Sequence, residues 1–298
     1  MNRISISIVT PSYNQGDFLE DCMTSVLNQG YPNLEYIVID GGSHDRSPQI
    51  INRYKEQLSY SVSESDKGHA DAINKGFKQS SGEVMAWLNS DDMYLPWTLK
   101  VVADIFEQFP EVEWITGLNG TWNQYGAITE VIKSRKNIYD YLLGDYVWIQ
   151  QESVFWRRSL WEKAGGQINE SIRYMVDGEL WTRFFQHAEL YHVDCLFGGY
   201  RKHGSNRGVE FVNECHKEMV NSISRMKENV SSDVLMNADK LAFSKQCLAA
   251  PIPGRWGYLY PLLKKMGRTA FAEAHYKDIS FQDGQWQLKQ VPYEIKLS

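Results

Sequence analysis

The first 120 residues alternate between two hydrophobic periods, and this alternation constrains the fold more than any other feature of the chain. The run ISISIVT, residues 4–10, is β-branched and apolar and halts at Pro11. Residues 18–27 then place Phe18, Leu19, Cys22, Met23, Val26 and Leu27 at helical spacing. The pattern repeats. EYIVID ends in a turn at Gly41 and Gly42 and leads to a helix with Ile50, Ile51, Tyr54 and Leu58 on one face. YSVSES precedes a helix with Ala70, Ile73 and Phe77 in step, and EVMAWL reads as a fourth strand. Pro96 opens a helix to about Phe109, and VEWITG reads as a fifth strand. Strands separated by helices of this length predict parallel pairing with right-handed crossovers, hence an α/β fold with a mostly parallel sheet flanked by helices.

In such open sheets ligands bind beyond the carboxyl ends of the strands. Tyr13, Asp40, Glu64, Asp91 and Asp92 fall at or just past those ends, so the spacing predicts a polar crevice along one sheet edge. From about 120 to 210 the alternation weakens. A helix is expected near 137–143, a short strand at ESVFW, and helices at 158–163 and 177–187, together covering the crevice. Residues 211–250 read as helical and polar, and the tail from Pro251 is rich in Pro, Gly and aromatics. The expected organisation is a catalytic unit over 1–210, with halves 1–118 and 119–210, and a C-terminal helical extension over 211–298.

The 298 residues, 43% of them hydrophobic, suffice for a sizeable core. A net charge of −6 without a basic run argues against duplex nucleic acid as a partner. Four scattered cysteines, Cys22, Cys195, Cys215 and Cys247, fit a reducing cytoplasm. The start, MNRISISIVTP, is too short and polar for a signal-peptide core, and no stretch reaches the roughly 18 apolar residues of a spanning helix. The expectation is a cytoplasmic protein, free or attached to the inner face of a membrane.

WLNSDD, residues 87–92, drives two apolar side chains into the core and then sets Asp91 against Asp92. Adjacent carboxylates beyond a buried strand suit Mg²⁺, which uses one or two carboxylates plus substrate phosphates. A solvated turn or helix cap is the plain alternative. Asp40 emerges beside the glycine turn GGSHD, where its carboxylate can accept hydrogen bonds from a nucleobase or ribose, unless it is a simple turn Asp. Pro11 ends the first ladder, and Tyr13 offers a stacking face or fills a core. The block SDKGHADAINKG holds Asp66, Lys67 and Asn74; Lys67 can meet a diphosphate as a point charge or simply be solvated.

Taken in order, SIVTPSYNQGDFLEDCMTSVLNQGYPNLEYIVIDGGSHD, SESDKGHADAINKG and GEVMAWLNSDD resemble the family 2 glycosyltransferases, which have the GT-A nucleotide-sugar fold. The resemblance spans about residues 4–118 and implies a nucleotide-diphosphate-sugar donor. Pro11 and Tyr13 would hold the base and Asp40 would bind it, with Lys67 near the phosphates; Asn74 in the same block is a further candidate for substrate binding. Asp91 and Asp92 would sit at the family's metal motif for Mg²⁺ or Mn²⁺. Its first position is Asn89 here, an amide that can ligate but brings no charge.

The second half matches more weakly. YMVDGELWTRF resembles the family's acidic motif, making Asp177 the catalytic base, Glu179 its understudy, and Trp181 and Arg183 anchors of the helix. GGYRKHGSN resembles the segment in which a histidine approaches metal or phosphates, here His203. IQQES falls where acceptor contacts are expected, so Gln150 and Gln151 are candidate hydroxyl binders. In an inverting transfer the acceptor hydroxyl attacks opposite the departing diphosphate, which calls for a base within reach of that hydroxyl and a cation on the leaving oxygens.

His187, His192 and Cys195 do not have the spacing of a closed zinc site. The tail PGRWGYLYPLLKKMGRTAFAEAHY combines Arg255, Lys264, Lys265 and Arg268 with aromatics, suiting a membrane surface, the catalytic unit or a second subunit. The reading is an inverting glycosyltransferase moving a sugar, UDP-linked by preference, to a hydroxyl of a glycan or lipid-linked acceptor. The alternatives are a sugar-phosphate nucleotidyltransferase and an inactive nucleotide-sugar or glycan-binding module.

Overall fold

The computed structural model describes residues 3–144, 148–204, 206, 211–249 and 274–295. Strands β1 (Ile6–Ser12), β2 (Leu34–Asp40), β3 (Tyr60–Ser63) and β4 (Val84–Trp87) alternate with helices α1 (Leu19–Leu27), α2 (Ser47–Tyr54) and α3 (His69–Lys78). β1 pairs in parallel with β2 and β4, and β2 with β3. Short β5 (Met93–Tyr94), α4 (Thr98–Gln108) and β6 (Trp114–Thr116) follow. Next come β7 (Asn119–Trp122), β8 (Ile128–Ile132), α5 (Ile138–Leu142), β9 (Val154–Arg157), α6 (Arg158–Lys163) and α7 (Val176–Phe184). The chain continues through β10 (Leu190–Val193), β11 (Gly198–Arg201), α8 (Val212–Asn229), α9 (Ser232–Ala249), β12 (His275–Gln282) and β13 (Gln285–Pro292).

Among the described residues one nine-stranded sheet runs β13-β12-β10-β6-β9-β4-β1-β2-β3, and a smaller sheet runs β5-β11-β7-β8. The expected α/β architecture, mostly parallel with flanking helices, is present. Three features differ from the sequence expectation. β9 is antiparallel and lies between β4 and β6, so the fourth and fifth strands do not pair directly. Strand direction leaves no trace in a four-residue apolar run. Pro11 ends the ladder only toward β4, whose pairing stops at Val9–Trp87; toward β2 it continues to Ser12–Asp40. The Ser12 carbonyl accepts from Gly41 N–H, a bond that needs no proton on Pro11.

The third difference is C-terminal. α8 and α9 fill the polar helical stretch as expected, but residues 275–292 form a hairpin that adds β12 and β13 to the main sheet through β10. The aromatic tail with Arg255, Lys264, Lys265 and Arg268 lies outside the described residues. Among those described, no helix is long and apolar enough to cross a membrane.

The core beneath the crevice is aromatic. Trp87 on β4, Trp114 on β6, Trp156 on β9 and Trp181 on α7 are fully buried and contact one another. Truncating a buried Trp to Ala typically costs roughly 3–5 kcal/mol, so this cluster fixes α7 firmly on the sheet. α8 buries Cys215, Met219, Ser222, Ile223 and Met226 at helical spacing and packs on α7.

Candidate active site

The parallel strands end at one edge, where Ser12 pairs with Asp40 and Asp40 with Ser63. Because β9 runs the other way, its start lies at the edge where β4 ends. The turn Gln151–Ser153 therefore meets the segment after Trp87. β-Strand direction, more than residue type, assembles the site.

At the edge where β1 and β2 end, Asp40 is completely buried. Its carboxylate accepts from Ser43 N–H at 2.9 Å, Ser43 Oγ at 2.5 Å and Ser63 Oγ at 2.6 Å. Ser43 Oγ in turn accepts from Asn14 N–H at 2.7 Å, and Asn14 Oδ1 accepts from His44 N–H at 2.9 Å. Asn14 has φ of 52°, a left-handed conformation that Asn tolerates better than most residues. Asp40 thus stitches the loops after β1 and β2 together, and only about one of its roughly four acceptor directions remains for a base. Pro11 is buried beneath this loop, while Tyr13 stands at the rim, 52% exposed. Lys67 is exposed on the neighbouring loop, its N–H bound to Asp71 Oδ2 at 3.0 Å.

Two expected binding residues are committed elsewhere. Asn74 donates to Ile168 O at 3.0 Å and Glu170 Oε1 at 3.2 Å and accepts from Ile168 N–H at 2.7 Å, so it pins the segment before α7. Glu179 is buried and paired with Arg183, whose Nε lies 3.1 Å from both carboxylate oxygens and whose Nη2 lies 2.9 Å from Oε2. Glu179 is therefore a helix anchor, since its charge is already neutralised. Arg183 also donates to Ala164 O and Gln167 O, the anchoring role read for it from the sequence.

Beyond β4, Asn89 is held on both sides. Its Oδ1 lies 3.0 Å from His69 Nε2, and its Nδ2 donates to Gln151 Oε1 at 3.2 Å. Gln151 is fixed by donating to Trp87 O at 2.5 Å, and Gln150 turns to Gly120 O at 2.5 Å. Both glutamines are thus engaged with protein groups. Asp91 Oδ2 lies 2.9 Å from His203 Nε2. The His203 ring stacks on Phe18 with centroids 4.6 Å apart, and the His203 backbone N–H donates to Asn206 Oδ1 at 2.6 Å. Arg201 also lies over Phe18, at 5.1 Å.

Asp92 sits deeper than Asp91. It is fully buried, its Oδ1 accepts from Arg201 N–H at 2.8 Å, and its Oδ2 has no protein partner. Burial first, then the nearby Glu152 and Asp91 carboxylates, push its pKa well above the usual range against the Arg201 and Asn89 hydrogen bonds. It locks β11 to the acidic turn. Glu152, which the sequence reading passed over inside IQQES, is also buried and has an unpartnered Oε1. Burial, with added repulsion from Asp177 and Asp91, raises it to about 8. Asp177 is half-buried on the first turn of α7, and desolvation lifts it to about 6 against the pull of the Gly178 and Asp177 backbone N–H groups. The mutual repulsion ties Asp91, Asp92, Glu152 and Asp177 to one neighbourhood.

Asp91 and His203 present a carboxylate and an imidazole to one point. No group of three His, Cys, Asp or Glu side chains converges among the described residues. A carboxylate and an imidazole at this spacing would suit a divalent cation. His69, Phe18, Glu152 and Arg201 were not legible as site residues; His69, Glu152 and Arg201 left a signal, as polar residues inside segments already singled out. A cavity of about 550 Å³ lined by Arg3, Asn33, Glu35 and Glu83 opens at the opposite, amino-terminal edge and holds none of these groups.

Comparison with known proteins gives the family and the fold. The family model described as glycosyl transferase family 2 matches residues 7–173. An uncharacterised glycosyltransferase of Rickettsia typhi is 25% identical over 201 residues, covering 62% of this chain and 60% of that protein. The putative teichuronic acid biosynthesis glycosyltransferase TuaG of Bacillus subtilis is 37% identical over 92 residues, 30% of this chain and 36% of that one. These matches thus span about 60% and 36% of the relatives' own lengths. Among solved structures, S. aureus TarS 1-349 in complex with UDP superposes with a TM-score of 0.61 at 17% identity, covering 98% of both chains. The mannosyltransferase PcManGT of Pyrobaculum calidifontis, in complex with GDP-Man and Mn²⁺, gives 0.50 at 16% identity over 91% of this chain and 71% of that one. Since the family match takes in more than half of the residues and the fold is that of GT-A glycosyltransferases, this chain belongs to glycosyl transferase family 2.

Proposed function

We propose that the protein transfers a sugar from a nucleotide diphosphate, UDP by preference, to a hydroxyl of a glycan or lipid-linked saccharide, with inversion and with Asp177 as general base. One observation carries this reading. A half-buried carboxyl, raised by desolvation to about 6, stands one helical turn from Trp181, which stacks on the last residue of the strand leading into Asn89–Asp92. A base with that pKa is ionised at neutral pH yet basic enough to take a proton from an alcohol as it attacks. The UDP and UDP-GlcNAc named with TarS, and the polymer named with TuaG, support the donor and acceptor classes.

The chain's own groups divide the work. Tyr13 and the loop stitched by Asp40, Ser43 and Asn14 hold the nucleobase, and Lys67 reaches the diphosphate. Asp91 and His203 would hold Mg²⁺ or Mn²⁺, which when bound polarises the leaving oxygens. Asp177 orients the acceptor hydroxyl and accepts its proton as the bond to the anomeric carbon forms.

The test is a thermal-shift panel of nucleotide sugars with and without Mn²⁺, followed by the Asp177→Asn variant. A donor that binds the folded state raises the melting midpoint. If no nucleotide diphosphate shifts the protein, the donor assignment has no basis. Should Asp177→Asn bind donor normally and still transfer sugar, the base assignment is wrong.

A further inference from the structure

We infer that Glu218, on α8 and outside the residues matched by the family model, is a positioning residue for Asp177; this rests on the reading of Asp177 as the base. The Glu218 carboxylate collects three consecutive backbone N–H groups. Oε1 accepts from Arg173 at 2.9 Å, and Oε2 from Tyr174 at 3.0 Å and Met175 at 2.9 Å. Successive N–H groups converging on one anion form a compact, directional cradle. Here the anion comes from another helix, and the cradle is the chain entering α7. That helix has no cap of its own, because its N-cap residue, Met175, makes no side-chain capping bond. Asp177 is its second residue.

Two more contacts from α8 and its approach fix the same entry. Phe211 stacks on Tyr174 with centroids 4.8 Å apart and planes 24° from parallel. A Cβ at Gly178 would fall 2.3 Å from Met219 Sδ, so α8 presses directly on the residue after Asp177. Asp177 itself stays half-exposed between these clamps. The arrangement places the carboxyl without covering it, as a base that must meet an incoming hydroxyl requires. Pro11, Tyr13, Asp40 and Asp91 lie on other elements, so removing Glu218 disturbs the proton acceptor and spares the donor cradle.

The test uses the full chain as wild type, Glu218→Ala, Glu218→Gln and Asp177→Asn. UDP with Mn²⁺ probes donor-site affinity by calorimetry. Turnover is UDP release from whichever UDP-sugar of a panel the wild type consumes. For Glu218→Ala the expected result is a kcat lower by roughly 10- to 100-fold, the scale of a displacement near 1 Å of a catalytic group. UDP affinity should hold within about twofold at the wild-type stoichiometry, whereas a loss of folded protein would lower the stoichiometry together with the apparent kcat. Glu218→Gln keeps one carbonyl acceptor but sets an NH2 donor where the other oxygen accepted, so its kcat falls between that of Glu218→Ala and wild type. If Asp177→Asn is inactive while Glu218→Ala keeps wild-type kcat, the base stands and the inference about Glu218 is overturned. If Asp177→Asn turns over normally, the base reading falls and this inference with it. Where Glu218→Ala does not fold, Glu218→Gln decides: faster amide exchange at 173–175 with reduced kcat supports the inference, and wild-type exchange with wild-type kcat overturns it.

Discussion

Trp87 and Trp181 stack with ring centroids 5.8 Å apart and planes 13° from parallel, joining the last residue of β4 to the second turn of α7. Two residues beyond Trp87 the acidic segment begins, and four residues before Trp181 lies Asp177 on the same helical face. The stack therefore sets the distance between the proposed cation-holding segment and the proposed base. Both rings are fully buried, so a shift of one drags the other.

Trp181→Ala should lower stability by about 3–5 kcal/mol, a drop in Tm of roughly 10 °C for a chain of this size. Trp181→Phe should restore most of the stability and leave kcat reduced, because the stacked register is only partly kept. Thermal melts paired with turnover measurements check both; a Phe variant with full kcat would show that the register does not matter.

Asp177 must be ionised to act as base, so kcat/KM should fall as pH drops through about 6, the value to which desolvation lifts it. Asp177→Asn should lose about 10²- to 10⁴-fold in kcat across the whole pH range. A pH–rate profile with no acid limb between roughly 5 and 7 would count against the assignment.

The Glu152 carboxyl has a folded pKa of about 8 against an ordinary 4.5. Between those values the folded chain keeps a proton that the unfolded chain releases, so this group makes stability fall as pH rises from about 4.5 to about 8. Glu152→Gln has no such proton. With chelator present, its Tm should match wild type near pH 4 and exceed it by a few degrees above pH 8. Parallel Tm-versus-pH curves for the two proteins would refute the assignment of a buried neutral acid.

His203→Ala should weaken Mn²⁺ binding in the presence of UDP by at least about tenfold, since one of two converging protein donors is lost. Asn89→Asp should act in the opposite direction by adding a charge at the motif's first position, while lowering stability without metal through repulsion with Asp91 and Asp92. Calorimetric titration of Mn²⁺ into the UDP complex separates the two effects.

The alternation of short β-runs and amphipathic helices over the first 120 residues fixed β1 to β4 and α1 to α4 in outline, because periods of 2 and 3.6 are local properties. Trp181 and Arg183 were expected as anchors from the resemblance of YMVDGELWTRF to the family's acidic motif. Asn74 and Glu179 looked equally suited to ligand contact, and only the fold showed their polar groups spent on Ile168 and Arg183. Asp91 and Asp92 looked alike in sequence; the Arg201 N–H separated them by burying one.

The sequence alone determined which strands end in polar turns and which carboxylates stand there, since strand length, turn chemistry and helix starts are set by neighbours along the chain. The tertiary structure decided which of those groups share a neighbourhood. The antiparallel course of β9 brings Glu152 and Gln151 beside Asn89, and α8 brings Glu218 under the start of α7. Both depend on contacts between residues far apart in the chain, where partner choice is governed by packing and hydrogen-bond satisfaction in three dimensions.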